Sequence, residues 1–269
     1  LLVSSGVPVV QVVKESIYDH PAYYDLVYGS DWKTEFDFLL ACQERYCQRP
    51  KPRFLEPACG TGRLIYRLAK QGHEVSGLDL NAKAIAFCNQ RLNKFKLPAS
   101  AFVGDMCDFT LAQPADFAFN TINSFRHLQS EQLAERHLHC MANALSDNGI
   151  YLLGFHLSPT QGEAIDEESW VARRGNLQVN TQMYLTKRDQ SQRLEYFATV
   201  YDIYSPESFF QIQDTLAFRT YQAAEFQQLI DETARFDILE TYDFSYEIDL
   251  PIEINEETED VVYILRKRN

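Results

Sequence analysis

The chain holds 269 residues, 45% of them hydrophobic, enough to bury a large core as one elaborated α/β domain or two smaller ones. Its formal charge of -13 excludes broad electrostatic attraction to nucleic acid or to anionic membrane, both of which need clustered Lys and Arg, and leaves room only for a local basic groove. Six cysteines, at 42, 47, 59, 88, 107 and 140, are scattered without a C-x-x-C pair, which points to the reduced thiols of a cytoplasmic protein and away from disulfides or a zinc site.

In chain order, the opening L-L-V-S-S-G-V-P-V-V has neither the basic region nor the long apolar core of a signal peptide, and no stretch has the apolar length to span a bilayer. Tyr18 to Trp32 concentrates aromatics ahead of a helix predicted over Lys33 to Cys47, with Phe36, Leu39 and Leu40 at helical spacing. Pro50 and Pro52 end that helix. Phe54 to Gly62, F-L-E-P-A-C-G-T-G, then reads as an apolar strand that ends in a carboxylate and turns through two glycines. Glycine permits positive φ and removes the Cβ that would keep a ligand from the backbone, while the N–H groups of the next helix, predicted over Arg63 to Gln71, point at whatever sits there. A dinucleotide turn wants a third glycine where this chain has Ile65, which argues against NAD.

Alternation of strand and helix continues. Strands are predicted at Glu74 to Leu78, Ala101 to Val103, Asp116 to Phe119 and Ile150 to Phe155, and helices at Asn81 to Phe95 and Ser130 to Leu145, with a turn at Asp147-Asn148-Gly149. Such alternation implies a mainly parallel sheet covered on both faces by helices. Past His156 the pattern changes to three antiparallel strands, Leu177 to Lys187, Gln192 to Tyr204 and Ser208 to Thr220, with Phe197, Tyr201, Tyr204, Phe209 and Phe210 as their apolar face. A helix from Gln222 to Glu232, a strand from Phe236 to Phe244, an acidic loop from Glu247 to Asp260 and a last strand from Val261 to Leu265 close the chain. The implied division is 1–49 as lid and helix, 50–156 as the core, 157–220 as an inserted antiparallel layer, and 221–269 as a return to the core sheet.

The segment E-P-A-C-G-T-G resembles the first motif of class I S-adenosylmethionine-dependent methyltransferases. The resemblance implies a Rossmann-like doubly wound sheet whose last strand runs antiparallel, with S-adenosylmethionine as cofactor. Its loop residues Glu56, Ala58, Cys59, Gly60, Thr61 and Gly62 would face the methionine part. Asp79 and Leu80 would meet the ribose, Asp105 and Met106 of the G-D-M turn the adenine, and Asn120 the sulfonium. Tyr24-Asp25-Leu26 matches the family's lid segment, which implies that Tyr24 covers the cofactor. In N-T-I-N-S-F-R-H-L, Asn123, Ser124, Arg126 and His127 become candidates to face the acceptor. His127 would take a proton or align the nucleophile, with Tyr18 cooperating from the lid.

Each residue has a plainer reading: Asp79 as a helix N-cap, Asp105 as a turn carboxylate, His127 as a structural imidazole, the aromatics as packing. Arg63 stands where many relatives carry a small residue. The chain lacks the N-P-P-Y signature of base-modifying enzymes, and the exit at Asn120 lacks the Asp of the metal-dependent type, so neither a nucleic-acid substrate nor a metal is expected. Expected instead is in-line methyl transfer to N or O of a small molecule, with a resemblance to amino-sugar N-methyltransferases, by a monomer or homodimer. The alternatives are transfer of another group from the same cofactor and a binding protein without catalysis.

Overall fold

The computed structural model describes residues 11–30, 32–161 and 166–269, so the signal-peptide reading of the first ten residues lies outside the described part. Its elements are β1 (Gln11–Val13), a 3-10 turn (Ile17–Asp19), α1 (Pro21–Tyr28), α2 (Trp32–Tyr46), β2 (Arg53–Pro57), α3 (Ile65–Lys70), β3 (Glu74–Asp79), α4 (Ala82–Lys94), β4 (Ala101–Val103) and β5 (Ala115–Asn120). A second 3-10 turn (Ser124–His127) leads to α5 (Glu131–Ala144) and β6 (Leu145–His156). Then come β7 (Glu167–Arg174), β8 (Leu177–Asp189), β9 (Leu194–Tyr204), β10 (Phe209–Arg219), α6 (Ala223–Thr233), β11 (Phe236–Tyr242) and β12 (Asp260–Lys267).

Seven strands form one sheet in the order β11-β12-β6-β5-β2-β3-β4. Neighbours from β6 to β4 are parallel, and β12 inserts antiparallel between β6 and β11, as the doubly wound reading requires. Alternation along the strands sends side chains to two apolar layers. Leu55, Tyr151, Phe155 and Tyr263 meet Leu138 and Met141 of α5 and Leu229 and Ile230 of α6 on one face. Phe54, Phe117, Phe119 and Val262 meet Phe36 and Leu39 of α2, Leu68 of α3 and Ile85 of α4 on the other. The turn expected at 147–149 is absorbed into β6 as a register shift against β5, with Asn148 at φ +57°. Because β2, β3, β4 and β5 are parallel, their carboxyl ends bring Pro57, Asp79, Val103 and Asn120 to one edge, where open α/β sheets bind ligands.

One buried histidine in this core has a measurable consequence. His137 of α5 has Nδ1 3.0 Å from the Met106 carbonyl oxygen and Nε2 2.9 Å from the Tyr151 hydroxyl. A carbonyl only accepts, so Nδ1–H donates to it and the neutral ring accepts the Tyr151 O–H at Nε2. Burial lowers the ring's pKa to about 4. Between the unfolded value of about 6.5 and the folded value the unfolded chain binds more protons, so stability is full above about pH 6.5 and is lost as pH falls toward 4. The loss expected from His137 alone is about 3 kcal/mol. Urea titrations at pH 7 and pH 5 check this, and the difference between the two should shrink in His137→Gln.

The remaining sheet is larger than the sequence pattern suggests. It has five strands in the order β1-β10-β9-β8-β7, because the short β1 pairs parallel with β10 and β7 pairs antiparallel with β8, both outside the three strands expected. Neither has enough alternation in sequence to stand out, and each is a strand because a partner edge is present. Helix α1 packs on this sheet through Leu26 and Val27 against Val179, Ile203 and Ile212. Of the apolar face expected, Phe197 and Tyr201 are buried, whereas Tyr204 and Phe209 lie on the outer face, exposed and stacked on each other with centroids 4.5 Å apart. Phe210 packs partly buried against the cluster that holds Tyr201, so the expected face fails only at Tyr204 and Phe209, Tyr204 being out of phase with Tyr201 by an odd number of residues.

Candidate active site

Strand β2 delivers the chain into a turn in which Ala58, Gly60 and Gly62 all take positive φ, of 53°, 52° and 68°. An alanine there costs about 1–2 kcal/mol, the kind of strain that collects at functional sites. The turn is held by the Cys59 N–H donating to the Leu78 carbonyl at 2.9 Å and the Gly60 N–H donating to Asp79 Oδ2 at 2.8 Å. A Cβ on Gly60 would stand 3.0 Å from the Tyr24 ring, inside the cavity. Gly62 is different: its Cβ would meet the Cys88 Sγ of α4 at 2.2 Å, and it does not line the cavity. Its missing side chain makes room for a helix, where the sequence suggested room for a ligand. Gly62→Ala is therefore expected to destabilise the fold by about 2–5 kcal/mol, from overpacking and left-handed strain together, as measured by urea unfolding without ligand.

Arg63, which departs from the family's pattern, is half-buried in an ion pair. Its Nη2 donates to Glu35 Oε1 at 2.5 Å and to Thr121 Oγ1 at 3.2 Å, while its Nη1 donates to Glu35 Oε2. Helix α2 thus braces the loop from below. Thr61 Oγ1 donates to Asp25 Oδ1 of α1 at 2.9 Å, tying the lid to the same loop.

Asp79 is not the N-cap of α4. That role belongs to Asn81, whose Oδ1 accepts from the Lys83 and Ala84 N–H groups at 2.9 and 3.1 Å. Asp79 takes the Asn81 and Gly60 amides, one on each oxygen, and keeps lone pairs for a ligand; burial pushes its pKa up and the two amides oppose that. Leu80, 73% exposed, Met106 and Gly104 line the cavity beside it, whereas Asp105 does not and accepts the Cys107 N–H at 2.8 Å as a turn carboxylate would. Two polar atoms in the cavity wall are buried without a partner among the described residues, Glu56 Oε2 and Asn120 Oδ1. The Asn120 amide is oriented by donating to the Pro57 carbonyl at 3.0 Å, and burial pushes the Glu56 carboxyl well up.

Toward the second sheet the same cavity, of about 640 Å³, continues between Tyr18, Tyr28 and the 3-10 turn that carries His127. That turn begins at Asn123, at φ +57°, whose Oδ1 accepts the His156 N–H at 2.9 Å. Ser124 lines the wall, and buried Arg126 is held by Glu195 at 2.7 Å and by the Arg219 carbonyl at 2.9 Å. His127 Nε2 lies 3.2 Å from the Tyr18 hydroxyl, with the Phe218 ring 4.8 Å away. Burial and the neighbouring Arg126 lower the His127 pKa to about 4, so the ring is neutral near pH 7; burial raises that of Tyr18, which stays a phenol. Tyr18, Tyr24 and Tyr28 form a ladder with successive centroids 5.3 and 5.0 Å apart.

Sequence reading missed the far wall, made by Glu168, Trp170, Met183, Glu195, Leu216, Phe218 and Glu259. All but Glu259, which precedes β12, come from β7, β8, β9 and β10, and the pairing of those strands aims them at one space. Among the described residues no three His, Cys, Asp or Glu side chains are placed to hold a metal ion.

A family model described as a methyltransferase domain matches residues 54–149. A putative methyltransferase, YqeM of Bacillus subtilis, is 23% identical over 186 residues, spanning 67% of this chain and 72% of that protein. The dTDP-3-amino-3,6-dideoxy-alpha-D-glucopyranose N,N-dimethyltransferase of Streptomyces fradiae is 29% identical over 133 residues, spanning 48% of this chain and half of that protein, 50%. The crystal structure of an S-adenosylmethionine-dependent methyltransferase from Clostridium acetobutylicum superposes with a TM-score of 0.75 at 15% identity, covering 93% of this chain and 99% of the other.

Proposed function

We propose that this chain is a class I S-adenosylmethionine-dependent methyltransferase and that it methylates an amine of a small molecule, held between the glycine-loop edge of the large sheet and the carboxylate-lined wall of the small one. The observation that carries this reading is a single cavity with the loop acids at one end and the Tyr18–His127 pair at the junction with the other. The residues fit S-adenosylmethionine. Glu56 Oε2 is a buried acceptor without a donor among the described residues, as suits an ammonium, and the missing Cβ at Gly60 lets the Tyr24 ring close over the loop. Asp79 would accept from the ribose hydroxyls, Met106 and Leu80 would pack on the adenosine, and Ala58, Cys59 and Thr61 would complete the loop. The cofactor supplies a methyl group on an excellent leaving group, so the protein's task is alignment.

On the acceptor side, Tyr18 oxygen can take an N–H from the acceptor amine while its own O–H is held by the neutral His127, which directs the nitrogen lone pair along the cavity. Glu168 and Glu259 have no cationic partner at ion-pair distance among the described residues, and they favour an amine-bearing acceptor over an anionic one. The Streptomyces relative's named activity on an amino sugar agrees with this choice. Six unpaired thiols are consistent with a reducing compartment such as the cytoplasm.

Two measurements test the reading. Asp79→Ala is expected to weaken S-adenosylmethionine binding by about 1.5–3 kcal/mol, read by calorimetric titration; an unchanged affinity in a folded variant removes Asp79 from the site. For the acceptor, amino sugars and their hydroxyl counterparts are incubated with labelled S-adenosylmethionine. Labelled product is expected from the amines alone, and equal labelling of the hydroxyl compounds would refute the N-methylation reading.

A further inference from the structure

Outside the active site, a second open cavity of about 660 Å³ lies on the far side of α1, between the α3–α4 face and the end of β7. It is the local exception to a chain of net charge -13: Arg67, Arg91, Lys94, Arg173 and Arg174 line it, with Asp25 as the carboxylate among its described lining residues. Asp25 is already matched, to Arg91 at 2.5 Å and Arg174 at 2.9 Å. Arg67, Lys94 and Arg173 have no carboxylate at ion-pair distance among the described residues.

The cations are also oriented. The Arg67 guanidinium lies 3.8 Å from the Trp32 ring centroid and 4.4 Å from that of Tyr66, and Arg91 lies 4.7 Å from Tyr66. Arg67 Nη1 already donates to the Arg63 carbonyl, and stacking on the aromatic faces leaves its remaining in-plane N–H groups for an oxyanion such as phosphate. The crowding has an energetic sign as well, because burial and the neighbouring Arg91 lower the Arg67 pKa to about 10, strain that a bound anion would relieve.

We propose that this groove is a binding site for the phosphate group of a phosphorylated small molecule. Three cations without a carboxylate at ion-pair distance among the described residues suit a multiply charged anion, and the volume of about 660 Å³ is within the roughly 300–1,000 Å³ of small-molecule sites. Asp25 joins this site to the first one, since its other partner is Thr61 of the glycine loop, at 2.9 Å.

The test is calorimetric titration of inorganic pyrophosphate into the protein saturated with S-adenosylhomocysteine, which keeps the probe out of the main cavity. Saturable binding is expected. It should weaken about tenfold or more in the double variant Lys94→Glu with Arg173→Glu, both exposed, while S-adenosylhomocysteine affinity and melting temperature hold. Lys14→Glu with Lys51→Glu changes net charge equally at exposed positions away from the groove and should leave pyrophosphate affinity intact. Absence of saturable binding, or equal weakening by both double variants, overturns the proposal. Since S-adenosylhomocysteine binding is measured by itself, failure of the groove is distinguishable from failure of the cofactor reading.

Discussion

Replacing His127 with alanine is expected to slow methyl transfer by about 10²-fold or more while S-adenosylmethionine affinity stays nearly unchanged. A side chain that fixes the acceptor through Tyr18 acts on the rate of the aligned complex and leaves cofactor contacts alone. Because the ring's pKa is lowered to about 4, it is a weak base at neutral pH, and the proposed role is to hold the Tyr18 hydroxyl, 3.2 Å away. Two consequences separate alignment from proton removal. Tyr18→Phe should cost a similar factor, and the double variant should lose little more than either single one, since both break one unit. The acid limb of the wild-type rate should also show no inflection at the ordinary imidazole value of about 6.5 that disappears in His127→Ala. Additive losses, or a joint loss of cofactor affinity and melting temperature, would make His127 a brace of the turn and nothing more.

Glu35→Ala is expected to cost about 3–5 kcal/mol of stability, because it leaves the Arg63 guanidinium largely buried and without its carboxylate. The pair joins α2 to the glycine loop, so the damage should also reach cofactor binding. Urea unfolding reads the first effect and calorimetric titration the second. A buried pair can be replaced by apolar groups at far smaller cost, so Glu35→Leu with Arg63→Met should recover much of the stability but not the cofactor affinity. If Glu35→Ala lowers stability by less than about 1 kcal/mol, the pair is solvated in solution and the bracing role fails.

Sequence by itself determined the doubly wound sheet, the glycine turn and the acids at the strand ends. These are local signals: a strand of apolar residues, a carboxylate at its exit and a following helix occupy consecutive positions, and parallel pairing then places every exit on one edge. Tyr24 against Gly60 and the Tyr18–His127 pair were also legible, through motifs at either end of a long separation. Tertiary structure alone decided the rest. Whether Gly62 faces a ligand or Cys88 depends on the position of α4, and the turn sequence is the same in either case. That Asp105 serves its own turn, and that Asn81 takes the cap and leaves Asp79 free, depends on hydrogen bonds whose partners local composition does not choose. The far wall of the main cavity and the basic groove were beyond sequence reading because their charged residues are spread over several elements. Only the register of the small sheet and the seating of α1 between the two cavities gather each set of charges around its own cavity.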